Sequence, residues 1–99
     1  MEPRFRNQDK LVRMLDILFP KSIIYLFGSY ARGTQKQSSD IDLAIDAGRM
    51  LTSAELGQAL NVIEALNVLA RVDLVDLHGG IPERLKEVIL KEGIVLWKG

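Results

Sequence analysis

The chain has 99 residues, 47% of them hydrophobic and 26% charged, with 13 basic and 13 acidic side chains that cancel to a formal net charge of zero. That length holds one domain, and the neutral balance argues against a general electrostatic grip on nucleic acid or anionic lipid. The absence of cysteine removes disulfides, thiolate catalysis and Cys-based zinc sites.

No apolar run approaches the roughly 20 residues needed to span a bilayer. The opening segment MEPRFRNQDK lacks the apolar stretch of a signal peptide. The expectation is a cytoplasmic protein. Its zero net charge gives weak protection against association, so a partner chain is in keeping with the composition.

From Asp9 onward Leu11, Val12, Met14, Leu15 and Leu18 recur at three-to-four spacing, which predicts a helix ended by Pro20. Ile23–Phe27 is a short continuous apolar run, read as a buried strand. Gly28-Ser29 breaks it, and a short helical turn from Tyr30 leads through Gly33 into a polar loop. The second strand runs from Asp40 to Ile45. Ile41, Leu43 and Ile45 fall on one face, and Asp40, Asp42 and Ala44 on the other. Thr52 or Ser53 caps a helix that reaches about Leu66, with Glu55 completing the cap and Leu56, Ala59, Leu60 and Ile63 as its apolar stripe. Val72–Leu77 is the third strand, and Gly79-Gly80 turns the chain. Pro82 opens a last helix to about Lys91, with Leu85, Val88 and Ile89 facing inward. Gly93 suits its C-cap, and Ile94–Trp97 reads as a short edge strand. The expected fold class is α/β (α+β), a small mixed sheet flanked by helices, in one domain over residues 1–99. The link between the first two strands is only about ten residues, tight for a parallel crossover, so that pair is expected to be antiparallel.

Asp40 and Asp42 carry the first chemical signal. Strand geometry puts their Cα atoms about 6.6–7 Å apart on one face, and two like charges held together cost free energy unless a cation joins them. Oxygen ligands without His or Cys select Mg²⁺, Mn²⁺ or Ca²⁺. Mg²⁺ takes one or two carboxylates and fills its shell with water and substrate phosphates, so the pair suits a metal-nucleotide site. Taken alone, the D-x-D reads equally as the polar side of a half-exposed strand.

Gly28 permits close backbone approach, and Ser29 offers a hydroxyl and an N–H at the start of a turn, where phosphate is favoured. Arg32 and Gly33 follow in the same turn. A plain strand-to-helix turn has the same residues. In "VDLVDL", Asp73 is out of place for a bare core strand; beside the second strand it completes a triad with Asp40 and Asp42. Three carboxylates suit one or two metals and an in-line displacement, with Asp73 placed to take a proton from the attacking hydroxyl. Asp76 points to the opposite face, and its position near the strand end reads as a solvated carboxylate. His78 reads as a loop residue, Arg71 as a solvated arginine, with neutralisation of local negative charge as its alternative, and Trp97 as packing.

Together, G-S-x10-D-x-D in "GSYARGTQKQSSDIDLAI" (Gly28 to Ile45) and the carboxylate in "VDLVDL" (Val72 to Leu77) resemble the DNA polymerase beta nucleotidyltransferase superfamily in its minimal, MNT-type branch. The resemblance implies that Gly28 and Ser29 hold the nucleotide's phosphates, with Arg32 in support. It implies that Asp40, Asp42 and Asp73 bind Mg²⁺ and carry the catalysis. The implied reaction moves AMP from ATP to a hydroxyl. In this branch the acceptor is a tyrosine of a helical HEPN-domain toxin, held in a hetero-oligomer, and the nucleotidyltransferase is its antitoxin. Two other activities stay open: a catalytically silent antitoxin that acts by contact, and a small-molecule nucleotidyltransferase. No membrane and no direct nucleic-acid binding are expected, and the acceptor is expected to come from another chain.

Overall fold

The computed structural model describes residues 4–66, 68 and 70–99. The first three residues of the N-terminal segment read above for a leader lie outside them. Helix α1 spans Gln8–Leu18 and places Leu11, Val12 and Leu15 inward. Met14, read as part of that stripe, is instead 40% exposed. Asn7 precedes the helix in the left-handed region, and its Nδ2 donates to Leu66 O at 2.6 Å. That bond ties the start of α1 to the end of a later helix.

Strand β1 is Ile23–Phe27. A four-residue helix, α2 (Ser29–Arg32), follows it directly. Strand β2, Ile41–Asp46, returns antiparallel to β1, with Ile23 opposite Asp46 and Phe27 opposite Asp42. The short link thus gives the antiparallel pair expected from its length. Helix α3, Ser53–Ala65, starts with a capping box: Thr52 Oγ1 accepts from the Glu55 N–H while the Glu55 side chain accepts from the Thr52 N–H. It carries the chain over to β3, Val72–Asp76, which lies parallel to β2. Helix α4, Glu83–Glu92, then leads to β4, Ile94–Lys98, antiparallel to β1 on its other side. The strand order is β3-β2-β1-β4.

The sheet is mixed and covered on both faces. Ile24 and Leu26 of β1 and Ile41, Leu43 and Ile45 of β2 pack with Leu11 and Leu15 of α1 and Ala59 and Ile63 of α3. Each such Leu or Ile fully removed from water contributes about 1.5–3 kcal/mol. On the opposite face Ala44, Leu77 and Ile89 form a smaller core with Tyr25, Phe27, Val75 and Leu85. One sequence expectation changes here, and the C-cap expectation holds. Leu60 is 48% exposed rather than part of the α3 stripe. Gly93 caps α4 at φ −67°, so no left-handed residue is needed. A side chain there would collide with the Ile89 carbonyl oxygen, which is why the position is glycine.

Candidate active site

Three chain segments meet at one end of the sheet because of strand direction alone. β1 and β2 are antiparallel, so the C-terminal end of β1 lies beside the N-terminal end of β2. β2 and β3 are parallel, so the N-terminal end of β3 joins them. Phe27, Asp42 and Asp73 are therefore lateral neighbours, and Gly28-Ser29 leaves the sheet at the same place.

Asp42 pairs in register with Asp73. Adjacent strands are about 4.8 Å apart, and residues paired in a parallel ladder point to the same face. Burial pushes the Asp42 carboxyl above its usual range, the negative charges of Asp73 and then Asp40 push it further, and Arg32 pulls it back. Asp40 stands just before β2 and is half-buried, while Arg32, at the end of α2, is exposed. The structure thus brings Asp40, Asp42, Asp73 and Arg32 into one electrostatic neighbourhood.

Gly28 closes the other side. It has φ 73° and ψ −153°, a conformation open essentially to glycine alone. A Cβ there would overlap Asp42 Oδ2. In the tight turn that follows, the Ala31 and Arg32 N–H groups donate to Gly28 O, each at 3.1 Å, and the Thr34 N–H donates to Ser29 O at 3.0 Å. Ser29 is half-buried at the mouth of this turn.

One residue departs from the sequence reading, and a second adds a contact to it. Asp76 is 6% exposed, not solvated. Its Oδ2 accepts from the Leu51 N–H at 2.7 Å and its Oδ1 from the His78 N–H at 3.0 Å. Its carboxylate anchors the loop before α3, and strand alternation aims it away from Asp73. Arg71, read as solvated, places Nε 3.3 Å from Asp73 Oδ1 while remaining exposed. His78 is in the turn after β3 as expected, but Nε2 lies 2.7 Å from Asp46 Oδ1, a link across the far end of β2 and β3. No sequence spacing announces that contact.

Among the described residues no three acidic or histidine side chains are already drawn together around a point where an ion would rest. The donor set is of the kind that suits a hard divalent cation such as Mg²⁺: oxygens only, with Asp42 and Asp73 side by side. Among the described residues a groove of about 580 Å³, lined by Leu60, Ile63, Val68 and Val72 among others, lies between α3 and the start of β3. It borders the site through Arg71 and contains none of the three carboxylates.

The family described as Polymerase beta, Nucleotidyltransferase matches residues 10–99. The chain belongs to the polymerase beta nucleotidyltransferases. Among curated members it is similar to the protein adenylyltransferase MntA of Shewanella oneidensis, with 40% identity over 95 residues. That match covers 92% of this chain and 65% of the relative, so the chain spans 65% of the length of MntA. A solved toxin-antitoxin structure with AMP-PNP superposes with a TM-score of 0.76 at 36% identity, over 94% of this chain and 74% of that one. A second structure, of tri-AMPylated Shewanella oneidensis HEPN toxin in complex with MNT antitoxin, matches with a TM-score of 0.69 at 32% identity, over 94% and 71% of the two chains. As nucleotidyltransferase folds go, this chain has the mixed four-stranded sheet and flanking helices expected from its sequence.

Proposed function

We propose that this nucleotidyltransferase moves AMP from ATP to a hydroxyl, a tyrosine of a HEPN-domain partner, and so acts as that partner's antitoxin in the cytoplasm. The observation that carries the reading is the side-by-side placement of Asp42 and Asp73 with the Gly28 backbone pressed against Asp42. The similarity to an adenylyltransferase and to an antitoxin solved with an AMPylated HEPN toxin supports the acceptor class. The toxin-antitoxin structure with AMP-PNP supports ATP as the donor.

In this reading Asp40, Asp42 and Asp73 hold Mg²⁺, which when bound supplies charge neutralisation for the triphosphate. Gly28 brings bare backbone up to the phosphates, Ser29 contributes its hydroxyl and N–H, and Arg32 adds positive charge from the same turn. Asp73 accepts the proton of the acceptor hydroxyl as that oxygen bonds to the α-phosphorus. The bond from the α-phosphorus to the pyrophosphate oxygen breaks, and pyrophosphate leaves with the electron pair.

The test is intact mass of the partner after incubation with this chain, ATP and Mg²⁺. A gain of one or more AMP units is expected, and none with Asp42→Asn. An unmodified yet silenced partner would establish action by contact alone and overturn the enzymatic reading. Transfer to a small acceptor without any second chain would overturn the acceptor assignment.

A further inference from the structure

Resting on that reading, we infer that Arg71 is a stand-in cation for Asp73, a positioning residue that holds the third carboxylate in the metal-free protein and is exchanged when the metal arrives. Asp42 and Asp73 are in-register neighbours on one face of the sheet, so in the metal-free protein their like charges call for positive charge close by. Asp73 gets it from Arg71, two residues earlier and therefore on the same side of the strand.

The geometry is that of a contact able to let go. The backbone of Arg71 is fixed, since its carbonyl accepts from the Ile41 N–H at 2.8 Å and holds the start of β3 against β2. The side chain is not fixed: it is 75% exposed and makes a single Nε-to-Oδ1 approach of 3.3 Å rather than a two-pronged grip. Such exposed pairs are weak, and a divalent ion beside Asp73 outcompetes one singly charged guanidinium. Arg49 shows what a committed pair looks like in the same fold, with both guanidinium nitrogens on both Glu55 oxygens at 2.9 and 2.6 Å.

The consequence is that Arg71 opposes metal binding until the ion is present. Wild type, Arg71→Met, Arg71→Lys, Asp73→Asn and the double variant R71M/D73N are titrated with Mn²⁺ without nucleotide, free Mn²⁺ being read by electron paramagnetic resonance. Arg71→Met is expected to bind Mn²⁺ about two- to five-fold more tightly than wild type, a gain that shrinks at high salt. Arg71→Lys, which keeps the charge, is expected to stay near wild type. In the Asp73→Asn background the Arg71→Met gain is expected to fall by at least half. Unchanged or weaker binding by Arg71→Met, or an equal gain with and without Asp73, overturns the exchange. Asp42→Asn separates the two readings. Loss of Mn²⁺ in that variant with no effect of Arg71→Met sinks only the role of Arg71. Failure of wild type to bind Mn²⁺, even with AMP-PNP, sinks the metal site itself and this inference with it.

Discussion

Gly28 has no side chain because Asp42 occupies the place where one would be. A Cβ on Gly28 would overlap Asp42 Oδ2, and the backbone there is in a region that only glycine tolerates well. The two residues are one structural unit although β1 ends at the first and β2 carries the second. Gly28→Ala is expected to cost about 1–3 kcal/mol of folding stability and to turn the Asp42 carboxylate away. Urea unfolding and Mn²⁺ titration of the same variant check both halves. A stable Gly28→Ala protein with full Mn²⁺ affinity would contradict the pairing.

Asp42→Asn is expected to stabilise the metal-free protein at neutral pH. The Asp42 carboxyl is held above the ordinary aspartate value of 3.8, chiefly by burial, so the folded chain binds the proton more tightly than the unfolded one. Its stabilising proton is fully present below that unfolded value and is lost as pH rises through the folded one. The gain from Asp42→Asn should therefore be clear at pH 7 and vanish in acid. Thermal melts of both proteins across that range, without metal, decide the sign.

Asp73→Asn should lower the transfer rate by roughly 10²–10⁴-fold, the range for loss of a general base, while leaving the fold intact because Asp73 is on a half-exposed face. Single-turnover transfer of radiolabelled AMP is the measurement. A variant with near-normal turnover would remove Asp73 from the chemistry.

Asp76→Ala should do the reverse. It strips the acceptor from the N–H groups of Leu51 and His78, at a cost on the order of 1–3 kcal/mol for the buried Leu51 N–H and less for the half-buried His78 N–H, which water can reach. Turnover per folded molecule should hold. Equilibrium unfolding combined with active-site titration separates the two effects.

Thr52→Ala removes the side-chain acceptor of the α3 capping box and should cost about 0.5–2 kcal/mol. Glu55, the other half of the box, is pulled down to about 2, mainly by its bond to Arg49 and then by the Thr52 N–H. Its contribution should therefore be full above the ordinary value of 4.5 and be lost progressively as pH falls from there through about 2. Acid titration followed by circular dichroism would show an earlier loss of α3 in Thr52→Ala.

The fold was largely legible because its signals are local and periodic. Alternation in "DIDLAI" separated the carboxylates from Ile41, Leu43 and Ile45, and all three of those are fully buried. The brevity of the first link gave the antiparallel pair. The same alternation put Asp73 opposite Asp76, but the ground for setting Asp76 aside was mistaken. A carboxylate satisfied by two backbone N–H groups looks, in sequence, like a solvated one. Arg71 satisfies both of its sequence readings, exposed to solvent and 3.3 Å from a carboxylate, a combination that its spacing from Asp73 permits without requiring. The His78–Asp46 contact and the exposure of Met14 and Leu60 depend on how elements pack, which periodicity does not encode.

The in-register pairing of Asp42 with Asp73 also sets selection for folding against selection for chemistry. A lineage screened only for a sturdy chain would drift toward an amide at position 42, since nothing in the sheet needs the charge and the charge is costly when no cation is bound. Such a descendant would keep its shape, its surface and any contact it makes with a partner while losing transfer. A screen of position-42 variants for thermal stability alone would therefore be expected to enrich the amide, and a screen for the proposed transfer to enrich the carboxylate.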